Sequence, residues 1–346
     1  MTTRRRKTIT FTLSEALRGT EAGRIQSVGY MQVIPLVSDL ADERFVSPVD
    51  GGAEAWTTDY GALHFYNPSI AILIIPCHAG YVVKMAVQDH AMSHAGIVPS
   101  GWQRRFTTAM CVQDSQPGLI RRGNYRMTIL PFPLREQAME LHREKNYEKL
   151  WDGISLFNQE MGLRAQSNLG YFLYQFRKEL DQFVAEFECI PRQVGAIILI
   201  NDQVVGVERT PSPSFWKSIW PALIRECYGS LALQVARSRG EHPPLPKTRV
   251  PLPDGIDSLA KLSEALAQVS GEEERRTKLI VRELIHEKIR VVNEEVLHGL
   301  KTQTILHPHF VGQVILDDER VVYASLIARK KWMKSKEWAD TKPFTI

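Results

Sequence analysis

Between Met85 and Trp102 the chain reads MAVQDHAMSHAGIVPSGW, and just upstream it reads IIPCHAGYVV. One carboxyl, three imidazoles and a thiol thus fall close together: Asp89, His78, His90, His94 and Cys77. His90 and His94 are spaced i, i+4, which on a helix places both rings on one face, as in many zinc sites. Ala91 stands where an HExxH motif has its glutamate, and Gly96 and Pro99 speak for extended chain rather than helix. Residues four apart on a strand share a face but lie about 13 Å apart, too far for one ion. No metal and no other cofactor is therefore expected. What remains is acid–base and hydrogen-bonding chemistry on a polar loop, carried by Gln88, Asp89, His90 and His94. Arg104 and Arg105 follow that loop and have the fork geometry that clamps phosphate. These six are the candidate ligand-binding residues; no catalytic residue is singled out. His286 and the pair His307 and His309 could join the loop only through folding, and the sequence does not require it.

Several common site motifs are absent. There is no GxxxxGK[ST] and no GxGxxG after a strand, which excludes a Walker nucleotidase and a simple Rossmann enzyme. The GxSxG hydrolase elbow is also missing. Arg121 and Arg122 form a second arginine pair, for which ion pairs with acidic helices are the plainer expectation. In SFWKSIWPALI, Phe215, Trp216, Ile219 and Trp220 fall at helical spacing, which marks a core or subunit contact.

The elements that must position this loop are mostly strands. GYMQVIPLVS, ALHFYNPSIAILIIP, GYVVKMAV, FTTAMCVQ and YRMTILPF are apolar runs separated by Gly, Pro, Asp and Asn, so residues 20–132 read as β-rich. Before them, Ser14 is the expected N-cap of a short helix ended by Gly19. After them, REQAMELHREKNYEKLWDGI and NLGYFLYQFRKELDQFVAEF repeat their apolar residues at three and four, as helices do. A strand pair, QVGAIILINDQVVGVER, precedes the aromatic helix, in which Pro221 is expected to start a new turn. A Pro-rich linker covers 241–255. A helical pair is expected from SLAKLSEALAQVSGEEERRTKLIVRELIHEK, and HFVGQVILDDERVVYASLI closes the chain as a hairpin. VGAIILINDQVVG and VGQVILDDERVVY align without a gap, each with a polar turn suited to positive φ. If the pair is a repeat, the linker does not separate independent cores. The expected class is α+β: a β-rich N-terminal half, as sheet or sandwich, with a helical layer and two similar β-hairpins in the C-terminal half. The expected division is a basic segment at 1–14, one α+β domain at 15–330 (β-rich over 20–132, α/β over 133–330) and a basic tail at 331–346.

Composition sets outer bounds. A net charge of +4 over 346 residues is too small to mark a nucleic-acid binder by itself. The basic residues cluster at Arg4 to Lys7 and at Arg329 to Lys336, near Trp332 and Trp338; solvated termini are the expectation, with nucleic acid the less favoured partner. No apolar run reaches the 18 residues of a membrane span, and no signal peptide is expected, so a bacterial cytoplasmic setting without membrane contact is. Cys77, Cys111, Cys189 and Cys227 form no CxxC pair, which fits reduced, buried thiols.

GYVVKMAVQDHAMSHAGIVP resembles a segment of the ARPP-1 family that often reads GEELxGAKQNRxxNTSxLVP, with Gly80, Ala86, Gln88, Val98 and Pro99 on matching positions. MCVQ resembles the family's CVE strand, and the two hairpins and the Trp-Pro-x-Leu helix resemble family segments in the same order, over roughly residues 15–330. The family is named for gene neighbours, ADP-ribosylglycohydrolases and rhodanese-phosphatases. The resemblance therefore implies a link to ADP-ribose or another NAD-derived nucleotide, bound or processed. This chain departs at Tyr81, at Asp89 and His90, and at Gln113, where the family has Glu, Asn-Arg and Glu. Two carboxylates and an arginine are thus replaced, so the loop has either lost its chemistry or rebuilt it, with Asp89 and His90 as a new acid–base pair. The competing expectation is a non-catalytic scaffold or accessory subunit of a multi-protein prokaryotic conflict or antiviral defence system, with a protein partner or a second copy of the chain.

Overall fold

A computed structural model describes residues 11–83, 87–114, 118–123, 125–242, 244–245, 258–284 and 288–334. Residues 1–10 of the basic segment 1–14, most of the Pro-rich linker, His286, the resemblance position Ala86 and the tail beyond residue 334 lie outside the described residues.

The run QVGAIILI is apolar on both faces, and as the strand Gln193–Ile200 it is buried along its whole length. It lies inside a ten-stranded antiparallel sheet, between Gln203–Arg209 and Met31–Val37. The two similar hairpins meet in this sheet. Gln193–Ile200 with Gln203–Arg209, and Phe310–Asp317 with Arg320–Ala328, have the same register and the same bulge, between Ile198 and Leu199 in one and between Ile315 and Leu316 in the other. Their second strands pair antiparallel with Glu208 opposite Ser325. These two residues occupy equivalent positions of the repeat, so a local pseudo-twofold axis passes through that pair. The shared glycine has a steric cause: a Cβ on Gly195 would collide with the Glu208 carbonyl oxygen, and one on Gly312 with that of Ser325. Asn201, Asp202 and Asp318 hold the positive φ that the turns require. Strands from either side of the linker are therefore neighbours in one sheet.

The N-terminal half adds three small sheets. One orders Met110–Cys111, His90–Ala91, Ala79–Val82 and Arg126–Ile129. A second holds Gly96–Val98, Ile72–Ile75 and Phe45–Val46, and a third Gln103–Phe106, Leu63–Tyr66 and Glu54–Trp56. Helices in the middle of the chain join these sheets to the large one, and the architecture is α+β with paired C-terminal hairpins.

Several local expectations are corrected. The first helix, Leu13–Leu17, is capped by Thr12 rather than Ser14, because Thr12 and Glu15 form a reciprocal capping box. The block after residue 132 divides into Phe132–Glu140 and Trp151–Glu160, and the next into Leu169–Gln175 and Arg177–Glu186. The expected helical pair is one helix, Leu259–Leu284, running through Gly271; a single Gly costs about 1 kcal/mol and does not by itself end a helix. Pro221 lies inside Pro213–Ala222 instead of opening a turn. It lacks an N–H for the carbonyl four residues back, and two residues later the backbone widens into a π-helix, Leu223–Tyr228, before Gly229–Ser238. A further hairpin, Lys288–Leu297 with Leu300–Leu306, extends the large sheet and has no counterpart in the pattern reading. Among the described residues no helix is long and apolar enough to cross a membrane.

Candidate functional site

Asp89 ends the loop that precedes the two-residue strand His90–Ala91. His90 pairs with Tyr81 on one side and Cys111 on the other, so Asp89 is delivered to the end of the strand Ala79–Val82. There its Oδ1 accepts from the Val83 amide at 2.6 Å. With its NH2 turned inward, the Gln113 amide donates to Asp89 Oδ2 at 3.3 Å and to the Val87 carbonyl at 3.2 Å. Burial pushes the Asp89 carboxyl up to about 7, against the opposite pull of the Val83 amide and of Arg126. Gln88 lies beside it: the Cys111 thiol donates to Gln88 Oε1 at 3.4 Å and to the Gln113 carbonyl at 3.0 Å. Burial raises that thiol to about 11, so it is not a thiolate nucleophile at neutral pH.

The other four residues expected from the sequence go elsewhere. His90 is buried beneath Tyr60, with parallel rings 6.4 Å apart. Its Nδ1 faces the Gln88 carbonyl at 2.9 Å and its Nε2 the Gly61 amide at 3.4 Å, which fixes a neutral ring with the proton on Nδ1. Burial holds it at about 4. His94 faces the opposite way, with Nδ1 2.9 Å from Ser93 Oγ. Burial, then His142, also brings it to about 4. Arg104 shares the Phe106 ring with His94 and pairs with Glu295 at 2.7 Å. Arg105 pairs with Asp59 on an exposed surface. The structure therefore brings Gln88 and Asp89 together, with the His90 ring held on the Gln88 carbonyl, places His94 beside Arg104, and leaves Arg105 apart from both. Arg122 lies over Trp56 at 4.0 Å and pairs with Glu54. His309 stacks on Trp332 at 3.5 Å. Phe215, Trp216, Ile219 and Trp220 are core residues. Among the described residues, no three His, Cys, Asp or Glu side chains are grouped to hold a metal ion.

A cavity of about 240 Å³, lined by Val82 but not by Asp89 itself, lies against the strand end that holds Asp89. Its walls come from the strand Arg126–Ile129, the helices Leu169–Gln175 and Arg177–Glu186, and the π-helix, which supply Arg126, Tyr174, Arg177, Arg225 and Glu226. Arg126 is opposite Val82, one residue from the amide that holds Asp89. Tyr174 lies in the fields of Asp89, Arg126 and Arg177, and burial, the largest effect, raises its phenol. The helix carrying Tyr174 is docked by backbone bonds: the Leu169 amide to the Val112 carbonyl at 2.9 Å and the Asp114 amide to the Ser167 carbonyl at 3.1 Å. Its N-cap Asn168 accepts from the Gly170 amide at 2.9 Å. Glu226 is the hub. Its Oε1 accepts from Arg126 Nη1 and, at 2.7 Å, from Arg225 Nε. Arg225 also reaches Asp181 at 3.3 Å, and Arg177 stands 3.7 Å from the same residue. Tyr174 and Arg177 both line the cavity, one from the end of Leu169–Gln175 and the other from the start of Arg177–Glu186.

The next two residues of the π-helix turn the other way. Cys227 and Tyr228 enter a closed cluster around Arg135, a side chain 1% exposed. Arg135 Nη1 donates to Glu208 Oε1 at 2.8 Å and to Cys227 Sγ at 3.3 Å, its Nη2 to Ser325 Oγ, and its Nε to His78 Nδ1 at 3.2 Å. Tyr228 donates to Glu208 at 2.7 Å through the space left by Gly206. Arg135 thus binds both members of the pair on the pseudo-twofold axis. Cys77 is close by, its amide donating to the Tyr323 hydroxyl at 2.8 Å; burial raises both Cys77 and Cys227 to about 12.

A family model described as ARG and Rhodanese-Phosphatase-superfamily-associated Protein domain, ARPP-1, matches residues 19–327, nearly the whole chain. No curated protein and no solved structure matches.

Proposed function

The chain belongs to the ARPP-1 family, and from that premise we propose that it binds, and through Asp89 processes, ADP-ribose or a related NAD-derived nucleotide at the arginine-lined cavity. The observation that carries this reading is the convergence of Arg126, Arg177 and Arg225 on one cavity next to a buried carboxyl. Guanidinium groups offer paired donors to phosphate oxygens. Against Asp181 and Glu226 they leave the rim with a net positive charge, suited to a diphosphate. Tyr174, 45% exposed, offers a ring at the mouth on which a base can lie. A carboxyl balanced near neutrality can give or take a proton at the pH of a cell, a task that His90 and His94, held neutral, do not share. The family's name supports the ligand class. Thermal denaturation with ADP-ribose, NAD, ADP and adenosine tests the reading. Ligands carrying phosphate should raise the melting temperature by mass action and adenosine should not; no shift from any of them at millimolar concentration removes it.

A second reading, a non-catalytic accessory subunit of a prokaryotic defence assembly, draws on a different surface. Ile70 and Trp102 on loops and Val296 near the end of the strand Lys288–Leu297 are 99%, 49% and 67% exposed; the Gly101 to Asn67 backbone bond and the Trp102–His298 edge contact tie these segments together. Exposed apolar clusters of this kind mark partner sites. Native mass measurement after co-expression with genomic neighbours tests it, and a strict monomer in every combination counts against it.

A further inference from the structure

We propose that the chain covers one edge of its own large sheet with its N-terminal segment: residues 7–10 add as a strand along Arg290–Asn293, stopping before the arginine run Arg4–Arg6. This surface is separate from the cavity and does not depend on the ligand read there.

The two edges of the ten-stranded sheet differ. One ends on the strands Glu21–Ala22 and Gln26–Val28, of two and three residues, and short edge strands offer little to pair with. The other belongs to Lys288–Leu297, ten residues long. On its inner side this strand pairs along its length with Leu300–Leu306. On its outer side, among the described residues, it pairs only with Phe11–Thr12, through Ile289 and Lys288. None of residues 290–297 is buried. In an antiparallel ladder the N–H and C=O groups turn alternately to the two neighbours, so about half of those on Arg290–Leu297 face outward with no strand among the described residues to meet them. Beyond Asn293 the edge is guarded by other means. Glu294 is the extra residue of a bulge, and the carboxylates of Glu294 and Glu295 bind Arg143 and Arg104. Bulges and charges both discourage pairing. The stretch Arg290–Asn293 has no bulge and presents Val291 and Val292.

The register names the occupant. Thr12 is opposite Lys288 and Phe11 opposite Ile289. Continuing the same ladder sets Thr10 opposite Arg290, Ile9 opposite Val291, Thr8 opposite Val292 and Lys7 opposite Asn293. Opposed residues share a face, which puts Ile9 beside Val291, a side chain packed against the core. Thr8 to Thr12 read TITFT, β-branched or aromatic throughout, the composition that fits a pleated surface. MTTRRRKTIT contains no Gly, Pro, Asn or Asp, the residues that turn a chain away from its course. A second copy of the chain would compete for the same groups, but it has to arrive from solution. Residues 7–10 are tethered directly to Phe11, and a short tether gives an effective concentration in about the millimolar range.

Hydrogen exchange read by mass spectrometry tests this on the full chain, on the chain lacking residues 2–10, and on two full-length variants, Arg5→Ser and the double change Thr8→Pro with Ile9→Pro. In the full chain the outward amides of residues 290–293 should exchange at least about tenfold more slowly than in the shortened chain. The double proline variant should match the shortened chain, because one of two adjacent N–H groups must serve the ladder and proline has none. Arg5→Ser, outside the paired residues, should match the full chain. Leu300–Leu306 should exchange alike in all four, which shows the sheet folded in each. Equal exchange at 290–293 in the full and shortened chains overturns the proposal. So does protection that grows with protein concentration, which assigns the edge to a second copy.

Discussion

The π-helix Leu223–Tyr228 separates two polar clusters that use similar side chains to opposite ends. On one side, every guanidinium nitrogen of Arg135 has a partner, Glu208 is held by both Arg135 and Tyr228, and the group is sealed between the sheet and the helix Phe132–Glu140. On the other, Arg126, Arg177 and Arg225 stand partly in solvent around Glu226, one oxygen of which is buried without a hydrogen-bond partner among the described residues. The closed cluster sits on the axis between two repeated hairpins and joins them. The open one lies where strand ends, two helices and the Asp89 loop meet. Charge alone does not distinguish the two; exposure of the guanidinium groups to a cavity does.

That contrast can be broken by experiment. The largest effect is expected at the closed cluster. Arg135→Met strands the Glu208 carboxylate in the core, and removing one partner of a buried ion pair costs about 3–5 kcal/mol. Urea denaturation should show a loss of that order or no soluble protein; a loss below about 1 kcal/mol would mean that the cluster does not hold the repeats together.

Asp89 comes next. Its folded pKa of about 7 lies above the unfolded value of 3.8, so the native state holds the proton more tightly. The stabilisation from this proton is complete below pH 3.8 and is lost as pH rises through 7. Asp89→Asn should therefore be more stable than the parent at pH 8, by up to about 4 kcal/mol, and the advantage should vanish toward pH 4. A parallel pair of stability curves across that range contradicts the burial of this carboxyl. His90 and His94 act in the other direction: their folded values near 4 lie below 6.5, so their contribution falls away as pH drops from 6.5 to 4.

At the open cluster, Arg225→Ala should invert the Arg135 pattern. Buried Glu226 keeps Arg126 as a partner, so the stability loss should stay below that of Arg135→Met, at about 1–3 kcal/mol, while affinity for ADP-ribose falls about tenfold or more; fluorescence melting and titration on one sample read both. The smallest effect belongs to Arg105. Its exposed pair with Asp59 touches neither cluster, so Arg105→Ala should change stability by less than about 0.5 kcal/mol and leave binding unchanged. A loss of binding there would return the site to the loop and arginines singled out from the sequence.

The repeated hairpins were legible because their signals are local: a V-G start, a turn tolerant of positive φ, and an alternation that survives in both copies. Asp89 and Gln88 were legible as part of a polar loop. The hairpin Lys288–Leu297 with Leu300–Leu306 was hidden because three consecutive buried positions of its second strand are polar. Thr302, Gln303 and Thr304 are in the interior, where Gln303 bonds Asn293 and Thr304 bonds Gln313, so no apolar alternation marks the strand. The cavity was hidden for another reason. Arg126, Tyr174 and Glu226 come from three distant segments, and only the docking of Leu169–Gln175 and the widened turn after Pro221 bring them together. His90 and His94 would share a face on a continuous strand, but the strand ends at Ala91 and the chain bends at Ser93–His94, which separates any site built on both.

The central claim is that the ligand site is the cavity between Arg126, Arg177 and Glu226, next to Asp89. A crystal structure of the chain soaked with ADP-ribose tests it most directly. The account expects phosphate oxygens on the guanidinium groups of Arg126, Arg177 or Arg225 and the remainder of the ligand passing Tyr174. Ligand density in the His94 and Arg104 region, or an empty cavity at saturating ADP-ribose, would contradict it.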